Sequence, residues 1–230
     1  VILNRVVQAD PELTRQWASW FKGQGHAVVT ADAKSGRGVG ALAQAARQVL
    51  RGQMEKWREK GQVGRPVRAM VVGVPNVGKS TLINQAAGRK SAKAEDRPGV
   101  TRGKQWINAG AGLELLDTPG ILWPKFEDET IGLHLAFTGA VKDEVTDLEG
   151  LACALLELLR ERYPQAIQDR YKLTELDGRQ GWELLEDCAR KRGMRISGGE
   201  VDTERMAKLL LDEFRSGKLG RFTLEMPEEL

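Results

Sequence analysis

The residues of this chain best suited to chemistry are Gly73, Gly78, Lys79 and Ser80, spaced as GxxxxGKS across Gly73-Val-Pro-Asn-Val-Gly-Lys-Ser80. An apolar run over residues 69–72 leads in, and a helical pattern leads out from about Lys79. In that context, glycines let consecutive backbone N–H groups turn inward around a phosphate, and the helix N-terminus adds partial positive charge. Lys79 is placed to meet β- and γ-phosphates, and the Ser80 hydroxyl to join a magnesium shell. Val77 and Thr81 offer further N–H groups to the same cradle.

A second cluster follows at Leu113-Glu-Leu-Leu-Asp117-Thr-Pro-Gly120. An apolar strand ending in Asp suits a carboxylate that holds magnesium through water, and leaves the Gly120 N–H to meet a γ-phosphate. Between the clusters, Arg97-Pro-Gly-Val-Thr101 supplies Thr101 as a further metal ligand. Lys79, Thr101 and Gly120 are therefore the candidate catalytic residues, and Ser80, Thr101 and Asp117 the candidate magnesium ligands. Asn76 is a candidate ligand for potassium beside the phosphates. Ile121 follows Gly120 where a water-orienting Gln often stands, and an apolar side chain cannot orient water. Intrinsic turnover should then be slow, or depend on a cation or a partner.

The base-reading half of a GTP site, an [NT]KxD motif, is absent from residues 121–230; Val141-Lys142-Asp143 is the nearest approach and lacks the Asn. The better candidates precede the phosphate motifs. An apolar run over residues 1–3 leads into Asn4-Arg5-Val6-Val7, and another over residues 27–30 into Asp32-Ala33-Lys34. Ends of parallel strands meet at one rim of a sheet whatever their order in the chain, so a permuted chain can build the same pocket. The candidate nucleotide-binding set is Asn4, Arg5, Val7, Asp32, Ala33, Lys34, Asn76, Val77, Gly78, Lys79, Ser80, Thr81 and Gly120.

With these motifs, and with Asp96-Arg-Pro-Gly-Val-Thr101, Leu115-Leu-Asp-Thr-Pro-Gly-Ile-Leu-Trp-Pro-Lys-Phe126 and Ser197-Gly-Gly199, the sequence resembles the YlqF/RbgA family of circularly permuted GTPases, over essentially the whole chain. The resemblance implies a P-loop GTPase fold with permuted motif order plus a C-terminal all-α domain. It also implies GTP and GDP as ligands, magnesium and in some relatives potassium as cofactors, and assembly of the large ribosomal subunit, with its rRNA and proteins, as the task. The family pattern is Asn-Lys-x-Asp, whereas here Arg5 replaces the Lys and Val7 the Asp. Arg5 can lay its planar head over a purine, but Val7 cannot accept the two hydrogen bonds a carboxylate takes from guanine. Two rival readings follow from that departure and from Ile121. One is a P-loop ATPase or kinase with another base, and the other a nucleotide-binding scaffold with little turnover.

The elements that must position these residues alternate. Strands are expected over residues 1–3, 26–31, 67–72, 105–107 and 113–116, and helices over 11–21, 42–60 and 80–87. Asp10 reads as an N-cap with Pro11 in the first turn. This alternation predicts a mostly parallel sheet covered on both faces. After Trp123-Pro124 helical spacing takes over, at 131–137, 148–159, 180–191 and 203–215, with one short strand expected at 222–224. The division expected is residues 1–124 for the GTPase domain and 125–230 for linker and helical domain.

Composition fits that plan. The 230 residues are 41% hydrophobic and 29% charged, which excludes a disordered or fibrous chain. No apolar run approaches the ~18–20 residues of a membrane span. Cys153 and Cys188 lack CxxC partners and read as reduced core residues, so a cytoplasmic monomer is expected. The opening in mid-strand without Met suggests a missing N-terminus. The net charge of +3 conceals an asymmetry: residues 1–139 hold 20 Lys and Arg against 12 Asp and Glu, or +8, and residues 140–230 hold 15 against 20, or −5. The basic stretch 47–68 is the expected contact for rRNA phosphates, with Arg190-Lys191-Arg192 as a smaller one. His134 lies in an apolar helical stretch and reads as a packing residue.

Overall fold

The computed structural model describes residues 1–88, 105–122, 128–143 and 146–229. Thr101 with its 96–101 segment, and Trp123-Pro124, lie outside those residues. The chain divides into two compact units, Val1–Pro124 with Thr223–Leu230, and Lys125–Phe222. The last eight residues thus group with the first unit and not with the helical one.

The first unit holds strands β1 (Ile2–Leu3), β2 (Val29–Thr30), β3 (Val67–Val71), β4 (Gln105–Asn108) and β5 (Leu113–Asp117), with helices α1 (Pro11–Gly23), α2 (Ala41–Val49), α3 (Arg51–Glu59) and α4 (Lys79–Ala86). β1 pairs parallel with β2, and β3 parallel with β5, as expected. The pairing departs from a single sheet: among the described residues there are two, β1-β2 and β3-β5-β4. β4 runs antiparallel to β5 because the return over residues 109–112 is a tight turn, with Gly110, Ala111 and Gly112 all at positive φ. Nor are both faces covered. Met70, Val72 and Trp106 are exposed, and the Arg68 guanidinium lies 5.2 Å from the Trp106 ring centroid while pairing with Glu114 at 2.7 Å.

On the buried side, Val29 and Ala31 from the β2 region, Val67 of β3, Leu82 and Ile83 of α4, and Ile107, Leu113 and Leu115 form one core. That shared core carries the strand ends toward a common rim. The helix expected over 42–60 is two helices, broken at Leu50 (φ −96°, ψ 12°), which turns its side chain onto this core.

The second unit is helical: α5 (Glu129–Phe137), α6 (Leu148–Arg162), α7 (Pro164–Tyr171), α8 (Gly181–Lys191) and α9 (Thr203–Ser216). Leu151, Leu155, Leu156 and Leu159 of α6 face Leu184 and Leu185 of α8 and Met206 and Leu210 of α9 in its core. α7 has no sequence forecast; its Ile167 and Tyr171 are a stripe too short to register as periodicity. The strand expected at 222–224 does not form. Phe222 instead stacks on Phe214 with a ring separation of 5.5 Å and meets Tyr163 edge-on. Within this unit Glu213 is buried and held by Arg170 and Arg192 and by the Tyr171 hydroxyl at 2.8 Å.

Candidate nucleotide site

The loop between β3 and α4 is built as its glycines require. Gly78 stands at φ 93°, a left-handed conformation, immediately before the first residue of α4. A Cβ there would meet Asn4 Nδ2 at 2.5 Å, so glycine is needed for close approach as well as for conformation. Lys79 is buried, and its ammonium donates to the carbonyls of Gly73 (2.9 Å) and Val74 (2.8 Å). Burial pushes its pKa below the ordinary lysine value, opposed by the attraction of Asp117. Ser80 Oγ donates to Asp117 Oδ2 at 2.9 Å. Residues 37 apart in sequence, each picked out as a magnesium ligand, are therefore adjacent. Both offer hard oxygen donors, the chemistry that magnesium selects.

The end of β5 is fixed against the same loop. The Thr118 hydroxyl donates to Val71 O of β3 at 2.7 Å, and Ile121 N–H donates to Gly73 O at 3.3 Å. A Cβ on Gly120 would lie 2.7 Å from Pro75 Cα, so only glycine lets this segment pass so close. Ile121 is 66% exposed.

The base-side candidates reach the phosphate loop directly. Asn4, just after β1, donates from Nδ2 to Val77 O (2.8 Å) and accepts at Oδ1 from Ala33 N–H (3.0 Å). One amide thus joins both base-side segments to the loop. Arg5, at φ 58°, donates from Nη2 to Asn76 O at 2.6 Å, and Asn76 is itself left-handed at φ 59°. Asp32 is buried and its carboxylate accepts from Ser35 N–H at 3.0 Å, shaping the turn that presents Ala33 and exposed Lys34. Val7 sits in the turn after Arg5 and is 43% exposed. Asp10 caps α1, accepting from Glu12 and Leu13 N–H.

Two sequence expectations about charge are revised. In the 47–68 stretch Arg47 donates to Ala111 O, Arg51 pairs with Glu55, Arg65 lies over Trp57, and Arg68 pairs with Glu114. Lys56, Arg58 and Lys60 at the end of α3 keep exposed side chains with no ion pair among the described residues. The Arg190–Arg192 patch is largely consumed, because Arg190 pairs with Glu186 and Asp187 and Arg192 with Glu213. His134 is half-buried beside Phe137, 6.3 Å between ring centroids.

A phosphate-type loop between strand and helix, an acidic strand end hydrogen-bonded to its serine, and base-side strands that come first in the chain define a circularly permuted P-loop GTPase. A family model described as 50S ribosome-binding GTPase matches residues 68–174. The ribosome biogenesis GTPase A of Priestia megaterium is 46% identical over 230 residues, covering all of this chain and 80% of that protein. Its counterpart in Bacillus cereus is 44% identical over 229 residues, covering all of this chain and 77% of that one. Among solved structures, the GDP-bound structure of TM YlqF matches with a TM-score of 0.65 at 30% identity, over 99% of this chain and 82% of the other. GNP-bound YlqF from T. maritima matches at 0.60 and 30% identity, over 99% and 81%. The chain belongs to the ribosome biogenesis GTPase A family and is a GTPase, not the ATPase or kinase that Val7 left open.

Proposed function

We propose that the chain binds GTP and GDP at the rim described above and acts in the cytoplasm as a nucleotide-switched assembly factor for the large ribosomal subunit, released after hydrolysis. The observation that carries this reading is Asn4, whose one side chain bonds both the phosphate loop at Val77 and the base-side loop at Ala33. The N–H groups of Gly78, Ser80 and Thr81 receive the phosphates, and Lys79 leaves its two loop carbonyls to neutralise the β- and γ-oxygens. Ser80 and Asp117, with Thr101, would hold a magnesium ion, which when bound screens phosphate charge. Gly120, fixed against Pro75, offers its N–H to the γ-phosphate, so only the triphosphate draws residues 117–121 into one arrangement. Asn76 is the residue that would hold potassium.

The proposed rRNA contact runs through Lys56, Arg58 and Lys60, three exposed cations of the basic stretch that make no ion pair among the described residues. The test is co-sedimentation with large-subunit precursor particles across a salt series, with GDP or a non-hydrolysable GTP analogue. Binding should be tighter with the analogue. The log–log salt slope should fall by about one for each lysine or arginine changed to Ala. Equal binding in both nucleotide states would reject the switch, and an unchanged slope with Lys56, Arg58 and Lys60 all changed to Ala would move the RNA contact elsewhere.

A further inference from the structure

The loop that follows β1 is anchored at its first residue by Asn4, and its far end is the N-cap of α1, Asp10. In a capping box the N-cap's own N–H is satisfied by a Glu or Gln three residues on, as in α8 with Gln180 and Glu183. In α1 that third position is Leu13, which has no acceptor to offer. The Asp10 N–H instead donates to Thr223 Oγ1 at 3.2 Å, 213 residues away in sequence. Two residues on, Glu225 O accepts from Trp17 Nε1 at 2.9 Å. The 3-10 turn Pro227–Glu229 then packs on the same helix. α1 has no fully buried residue of its own, so its position depends on what covers its half-buried stripe of Leu13, Trp17, Trp20 and Phe21.

We propose that residues 223–229 are a clasp that fixes α1 and through it the loop Asn4–Asp10, making Thr223 and Trp17 positioning residues for the base side of the nucleotide site. This rests on the assignment of that loop to the base under the proposed function. The clasp completes a capping arrangement that the local sequence lacks, from a segment that rejoins the nucleotide unit only after the whole helical unit has been traversed. The nucleotide unit is therefore discontinuous in sequence, and its base side is closed by the distal segment.

The test uses the full chain as parent, Thr223→Val, Thr223→Ser, and Thr223→Val combined with Trp17→Phe, which keeps the ring and removes the donor. Hydrogen exchange without nucleotide is the direct readout. Amides of residues 6–13 should exchange about 3- to 10-fold faster in Thr223→Val, the effect of one net hydrogen bond, with α4 unchanged and Thr223→Ser like the parent. Unchanged exchange at 6–13 overturns the clasp, as does an equal rise across α4, which would mark a general stabiliser. Calorimetry then compares GDP with tripolyphosphate, which lacks a base. The double variant should weaken GDP by about 10-fold and tripolyphosphate by less than 2-fold. Equal loss for both, or none for GDP, overturns the positioning role. A parent that binds no GDP while exchange responds as stated would instead overturn the reading of the site.

Discussion

Asn4 and Gly78 meet at the junction of the two halves of the site, so replacing each separately and then both together tests whether the junction works as described. Asn4→Ala removes the donor to Val77 O and the acceptor for Ala33 N–H, 2.8 and 3.0 Å in length. Each bond contributes about 1 kcal/mol net, and Ala33 is 3% exposed, so its N–H is left without water. The total cost should be about 2–4 kcal/mol. Gly78→Ala attacks the same junction from the other side. Its φ of 93° costs a non-glycine residue about 1–2 kcal/mol, and the added Cβ would lie 2.5 Å from Asn4 Nδ2, forcing that amide away. In the double variant there is no amide left to displace, and only the backbone cost of Gly78→Ala remains. The double loss should therefore fall short of the sum of the singles by about 1 kcal/mol. Urea unfolding gives the stability cycle, and calorimetry with GDP the binding cycle. Additivity within ~0.3 kcal/mol, or a loss below ~0.5 kcal/mol for Asn4→Ala, would refute the claim that this amide couples the two halves.

Lys79→Ala should weaken triphosphate binding by about 2–4 kcal/mol by removing a charge-assisted contact, and undiminished calorimetric affinity would show the loop to be decorative. Val7→Asp should tighten GTP by about 1–3 kcal/mol and leave ATP unchanged; equal gains for both would mean that Val7 does not face the base edge. Turnover in sodium should be near ~10⁻⁴ to 10⁻² s⁻¹, and exchange of sodium for potassium should raise it several-fold if Asn76 holds the cation; identical rates in the two salts reject that role. In the helical unit the Arg170 guanidinium holds the Glu213 carboxyl below its ordinary value of 4.5. Its contribution is thus complete above that value and lost as pH falls through the lower, folded one. Glu213→Gln should cost about 2–3 kcal/mol at neutral pH, less than a fully buried pair because Arg170 and Arg192 stay a third exposed. Its acid unfolding should also be shallower than the parent's, and parallel pH profiles would contradict the assignment.

The phosphate loop was legible because its chemistry is local: glycines, a lysine and a hydroxyl at fixed spacing between strand and helix. The Asp10 cap was legible for the same reason, since cap and first turn are adjacent. What escaped were features decided by residues far apart. The sign of charge at 47–68 could be counted, but not the pairing of Arg68 with Glu114 or the hydrogen bond from Arg47 to Ala111 O, both partners lying in another part of the chain. The break at Leu50 depends on a core that pulls one leucine inward from an otherwise continuous helical pattern. The separation of β1-β2 from β3-β5-β4 is a matter of which edges pair, and strand patterns carry no information about partners. The contacts of Asn4 and Thr223 belong to this class too.

Ile121 shows how these local and distant constraints combine at the chemical step. Its backbone is held by Gly73 and its neighbour Gly120 is pressed against Pro75, so the segment is positioned by the phosphate loop itself. The exposed side chain at this point is apolar and has no group with which to hold or activate water. Under the function proposed above, position without chemistry suits a switch: residues 117–121 would respond to a γ-phosphate while hydrolysis waited for a group supplied from elsewhere. On that account an Ile121→Gln variant would gain a water-orienting amide at the fixed point of the loop and turn over faster without particles, with nucleotide affinity unchanged. If its rate matched the parent's, the slow step would lie in the charge environment of Lys79 and Asp117 and not in the placing of water.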